Sequence, residues 1–158
     1  IAARFSGNPV GDASDAYAEI AKGIFQVWRF RSHVRRGLFP NPVHQDCLGM
    51  VLTSAPWLVM GWKLDPEVMA IANRIADEKE PEIAACDRGR VPIVLIDDLE
   101  YHLQHGTEET LLQRLTELSA DFTGWQRSLT HGLQVTTPRP YPFSAALSEK
   151  LPRMFGGG

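Results

Sequence analysis

Five polar side chains recur in one stretch of the sequence at intervals of four, three, four and three residues: Lys22, Gln26, Arg29, His33 and Arg36. At about 100° per residue this spacing gathers them into a single line on an α-helix. Glu19 and Phe30 flank the line. The set offers cations, a side-chain amide that both donates and accepts, and an aromatic edge. Arginine and lysine bind phosphate oxygens, and glutamine can bond a phosphate or a base edge. That chemistry suits a phosphodiester backbone. The simpler alternative is an amphipathic helix whose polar face is basic.

Two further groupings could do chemistry. His102-x-x-His105 could turn two imidazoles toward one side of a short helix, with Asp98 and Glu100 nearby. Zinc hydrolases use His-Glu-x-x-His, whose i,i+4 spacing aligns both ligands. Here the spacing is i,i+3, Leu103 and Gln104 intervene, and no third ligand is evident, so a solvent-exposed helix end is expected. Asp97-Asp98-x-Glu100 follows an apolar run and could hold a metal there. An N-cap at Asp97 or Asp98, the other acids complementing the helix dipole, is the simpler expectation. No metal site is read from the residues themselves. Gly-x-Ser-x-Gly, Gly-x-Gly-x-x-Gly and P-loop motifs are missing, and no catalytic residue is assigned.

The elements that must position these groups follow from periodicity and punctuation. Tyr17, Ile20, Ile24, Val27, Trp28 and Val34 recur at helical spacing and predict a long amphipathic helix over Ser14 to Arg36. Asp12, Ser14 and Asp15 offer caps, and Arg35 and Arg36 suit its C-terminal end before Gly37. Gly23 costs such a helix about 1 kcal/mol relative to alanine. Leu48 to Thr53 reads as a strand, and Trp57 to Met60 as a second strand or its continuation. Asp65-Pro66-Glu67 starts a helix to about Glu78, with Val68, Ile71, Ala72 and Ile75 inward. Val91 to Ile96 is continuously apolar, as in a strand covered on both faces. A short helix ending at Gly106 follows. Another opens at Thr107-Glu108-Glu109 with Leu111, Leu112, Leu115 and Leu118 inward, and Phe122, Trp125 and Leu129 extend it. The fold expected is α/β: a small sheet of two to four strands, a long N-terminal amphipathic helix and a helical C-terminal part. Residues 1–134 form one α/β domain, incomplete at its N-terminus if sequence is missing. Residues 135–158, with four prolines and three final glycines, form an extended tail.

Charge is divided unevenly. The 158 residues carry a net charge of −3. Residues 1–40 hold six basic and three acidic side chains, whereas residues 65–121 hold five basic and fourteen acidic ones. Between residues 20 and 40 there are five basic side chains and no acidic one. Such asymmetry can orient a polyanion against the basic end. No apolar run approaches the ~20 residues of a membrane helix. Two cysteines, Cys47 and Cys86, cannot build a disulfide framework, and a reducing, cytoplasmic setting is expected.

The stretch from Lys22 to Phe30 resembles the helix that follows the catalytic strands in PD-(D/E)XK nucleases, the restriction-endonuclease-like superfamily. Some branches carry Gln-x-x-x-Tyr there. Here the segment is Gln26-Val27-Trp28-Arg29-Phe30, with Phe30 in place of tyrosine. Leu48 to Thr53 resembles the family's next strand, so the likeness covers about residues 14–60. It implies a nucleic-acid-binding face made of Lys22, Gln26, Arg29, Phe30, His33 and Arg36, and an Asp and a Glu-x-Lys on preceding strands, whose carboxylates bind Mg²⁺ while the lysine activates or orients water. Residues 1–13 contain no such set. The resemblance therefore implies either the C-terminal part of a metal-dependent nuclease whose carboxylates lie upstream of Ile1 or a version that has lost its catalysis, and this chain alone should not cut DNA. The alternative is a non-catalytic protein-interaction module of a larger cytoplasmic protein, docking a protein partner or a second copy through its acidic middle and proline-rich tail.

Overall fold

A computed structural model describes residues 9–44, 47–54, 65–120, 128–130 and 132–133. Its elements run in the order α1 (Pro9–Arg35), β1 (Val51–Thr53), α2 (Asp65–Lys79), β2 (Ile93–Leu95), α3 (Ile96–His105) and α4 (Glu108–Ala120). The expected mixed α/β character is present, with helices dominating. The expected strand over Trp57 to Met60, the extension through Phe122 and Trp125, and the tail 135–158 lie outside the described residues.

α1 begins at Pro9, upstream of the caps expected at Asp12, Ser14 and Asp15. Proline suits a first helical position because its missing N–H would have had no intrahelical acceptor. The other end closes as a Schellman motif: Leu38 N–H donates to His33 O at 2.9 Å and Gly37 N–H to Val34 O at 3.0 Å. Gly37 takes the positive φ of 67° that this ending requires.

β1 and β2 pair in parallel, in the register Val51↔Ile93, Leu52↔Val94 and Thr53↔Leu95. Parallel neighbours need a crossover, and α2 lies between them in the chain. Each strand is shorter than its apolar run suggested. Side chains alternate across a strand, and the two faces of the pair feed separate cores. On one face, Val51 and Ile93 pack with Ile20, Ile24 and Trp28 of α1 and with Val68, Ala72 and Ala76 of α2. On the other, Val94 packs with Leu115 and Leu118 of α4 and with Leu129. β2 is thus buried on both faces, as its unbroken apolar run predicts. Leu112, expected inward, is 47% exposed; α4 curves only Leu111, Leu115 and Leu118 onto the core.

Two glycines set how closely α1 approaches the sheet. A Cβ on Gly23 would stand 3.0 Å from Cγ2 of Val51, and one on Gly49 would stand 2.5 Å from Cγ1 of Val27. The helix-propensity cost of Gly23 therefore accompanies a close helix–strand contact that a larger residue would obstruct.

Candidate nucleic-acid interface

The outer face of α1 and the segment 47–52 enclose an open groove of about 620 Å³. Lys22, Gln26 and Phe30, three residues of the predicted stripe, line its helical wall with Glu19 and Val27. Cys47, Leu48, Gly49, Met50, Val51 and Leu52 make the other wall. Lys22 Nζ donates to Glu19 Oε1 at 2.5 Å. Gln26 is exposed, and its side-chain amide has no hydrogen-bond partner among the described residues. Phe30 packs against Phe39, ring centroids 5.1 Å apart. Val51 N–H donates to Pro92 O at 2.9 Å, toward β2. By strand alternation the backbone groups of Met50 and Leu52 point the opposite way, and among the described residues β1 is paired on one edge only.

The remaining stripe residues gather elsewhere. Arg29, His33 and Arg36 all turn to Glu80, just beyond the end of α2. Arg29 Nε lies 2.8 Å from Glu80 Oε2, His33 Nε2 2.5 Å from Oε1, and Arg36 Nη1 3.7 Å from Oε1. Because a carboxylate accepts, the His33 bond places a proton on Nε2. The His33 ring also stands 6.2 Å from that of Phe39, so the two parts of the stripe meet at this aromatic contact.

A neighbouring line on α1 is wholly structural, and the sequence did not reveal it. Trp28, Arg31, Ser32 and Arg35 face the loop that follows α2. Trp28 Nε1 donates to Gly89 O at 2.7 Å. Arg31 donates to Gly89 O and Arg90 O, and Ser32 Oγ to Glu82 O. Arg35 grips Asp87, whose Oδ2 also accepts from Ala84 N–H at 2.8 Å. Hydrogen bonds from Arg35, and then from Ala84 N–H, hold the Asp87 carboxyl below its ordinary range against the opposing effect of burial. The same bond raises Arg35, whereas burial lowers Arg31. Arg88 ties the loop back to α2 through Asn73 and Asp77. The only advance signal was charge: bases on the first helix, acids downstream.

The other groupings prove structural. His102 is 1% exposed rather than a solvent-facing helix end. Its Nδ1 lies 3.3 Å from Leu129 O and its Nε2 3.1 Å from Thr110 Oγ1. Gly106 allows this ring to fold under the helix end, since a Cβ there would meet it at 2.5 Å. His105 instead stacks on Tyr101. Neither Asp97 nor Asp98 caps α3: the N-cap is Leu95, with no side-chain cap bond. The helix starts directly from the strand, which puts both acids in its first turn, and Asp98 accepts from Ser128 Oγ at 2.7 Å.

Among the described residues no three His, Cys, Asp or Glu side chains assemble to hold a metal ion. Glu19, the single carboxylate lining the groove, is engaged by Lys22. These residues do not fit the Mg²⁺ set of a nuclease, and no hydrolytic step is assigned to them. No helix among them is long and apolar enough to cross a membrane. The chain matches no protein-family model, no curated protein and no solved structure.

Proposed function

We propose that this chain is the C-terminal part of a nucleic-acid-binding domain of the PD-(D/E)XK nuclease type, resident in the cytoplasm, with α1 as its contact surface. One observation carries the reading: Lys22, Gln26 and Phe30 share one open groove, and the Gln26 amide there is exposed and unengaged. Lysine supplies charge for a phosphate, glutamine a donor–acceptor pair for phosphate or base, and phenylalanine a stacking surface. Arg29, His33 and Arg36 extend the surface toward the end of the helix. Under this proposal the carboxylates that bind Mg²⁺ lie outside the described residues.

Cys47 lines the groove and is exposed, while Cys86 is exposed elsewhere. The test therefore combines affinity with location. A fluorescent oligonucleotide should bind, with affinity falling steeply in salt as counterions are released. Gln26→Ala should weaken it about 10-fold. Bound oligonucleotide should slow alkylation of Cys47 and leave Cys86 unchanged. Salt-insensitive binding, or Cys47 equally reactive with and without the oligonucleotide, defeats the proposal.

A non-catalytic protein-interaction module is the second reading. It is favoured by the single-sided pairing of β1 beside Leu52, which is 47% exposed, an edge that an extended peptide could join. It predicts a protein complex that survives Gln26→Ala.

A further inference from the structure

We propose that Arg29, His33 and Arg36 form a phosphate site already occupied from within, the Glu80 carboxylate standing where a phosphodiester binds. The inference rests on the reading of α1 as a nucleic-acid surface and concerns how that surface is regulated.

The arginines of α1 divide into two kinds. Arg31 and Arg35 direct their guanidinium groups at loop acceptors: Gly89 O and Arg90 O for one, Asp87 and Glu82 O for the other. Arg29 instead meets Glu80 in an ion pair through Nε at 2.8 Å, and no hydrogen bond engages its Nη groups among the described residues. Arg36 stands 3.7 Å from the carboxylate, within ion-pair range and beyond a hydrogen bond. Arg29 is also 55% exposed. A guanidinium carries five N–H donors, so the cluster holds far more donor capacity than one carboxylate can use.

Asp87 shows what a purely structural pair looks like in the same protein. It meets one guanidinium in a two-pronged bond and takes a backbone N–H besides. Glu80 is surrounded by three basic side chains and hydrogen-bonded by one of them, His33. Its position is also electrostatically costly. Its own N–H bonds Ala76 O, so it sits at the negative end of the α2 dipole, where a carboxylate is disfavoured. It is held by the cations of α1 and not by its own helix. A nucleic-acid strand, presenting several phosphodiesters in a row, each with its own charge and acceptor oxygens, competes for those donors on better terms than one carboxylate. The Phe39 ring joins this cluster to the Phe30 end of the groove, so one strand can engage both.

The geometry makes Glu80 an internal competitor that lowers the affinity of α1 for polyanions. Glu80→Gln should bind a fluorescent oligothymidylate about 10-fold more tightly than the unmodified chain, with a steeper salt dependence. Adding Arg29→Ala should abolish the gain. Glu78→Gln, the same charge change on an exposed neighbour, should reproduce little of it. A wild-type chain that binds while Glu80→Gln binds no better overturns the inference and leaves the α1 surface standing. Absence of binding in both overturns the surface itself. Should Glu80→Gln lose its fold, the unmodified chain still decides. Inorganic pyrophosphate should shift the His33 ring resonances before those of His105, and equal or no shifts refute displacement of Glu80.

Discussion

Arg35 and Asp87 meet in a two-pronged ion pair, with Nε 2.9 Å from Oδ1 and Nη2 2.8 Å from Oδ2. The carboxylate is 4% exposed and the arginine 43%, so the pair lies between the buried and surface regimes. Removing Asp87 strands Arg35 and the N–H of Ala84. Asp87→Ala should cost about 2 kcal/mol, measured by urea unfolding.

The same pair predicts an acid limb in stability. Asp87 is held below its ordinary value by Arg35. A carboxylate of that kind stabilises fully above its unfolded value of about 3.9, and its contribution is lost as pH falls through the folded value. The Tm difference between the unmodified chain and Asp87→Asn should be constant near neutrality and shrink below about pH 4. A difference that persists unchanged into acid contradicts this.

Arg29→Ala and Arg31→Ala should part company although both remove one base from the same helix. Arg31 bonds two loop carbonyls, so its loss should lower stability by about 1–2 kcal/mol and leave oligonucleotide affinity almost untouched. Arg29→Ala should do the reverse. Paired thermal melts and anisotropy titrations separate them.

Gly49→Ala should destabilise by about 2 kcal/mol, because the new methyl enters the space of Val27. In the Val27→Ala background the same change should cost much less. A double-mutant cycle reads the coupling, and additive costs would show that the close approach is relieved some other way.

Thr107 caps α4: Thr110 N–H lies 3.2 Å from its Oγ1, and Thr107 N–H donates back to Thr110 Oγ1 at 2.8 Å. Thr107→Ala should cost about 1 kcal/mol. Asp97→Ala, at a residue that caps nothing, should stay within about 0.5 kcal/mol.

What could be read in advance followed periodicity. The placement of Lys22, Gln26 and Arg29 on the solvent side of α1, the apolar inner line of α2 and the two-sided burial of β2 were all legible from spacing. The strap over Arg31 and Arg35 was not. Arginine at position 29 and arginine at position 31 look alike in a sequence, and only a contact with a distant loop makes one structural and the other available. The same holds for Ser32, which is fully buried beneath that loop although no periodic rule puts a serine inside. His102 was misjudged because its hydrogen-bond partners are a backbone carbonyl and a threonine one helix away. Division of charge along the chain points to a basic end that can orient a polyanion. It could not say whether the bases would meet Glu80 or an external polyanion.

Trp28 and Gly89, joined by one hydrogen bond, are 61 residues apart, and Glu80 lies more than forty residues beyond Arg36. A ribosome adding about 5–20 residues per second needs several seconds to cover that distance. α1 therefore enters the cell before the acids that cover it exist. For that interval the newborn helix displays Arg29, Arg31, Arg35 and Arg36 without Glu80 and Asp87, beside a translating messenger that is itself a polyanion. The order of synthesis exposes the bases first and supplies their internal acids last.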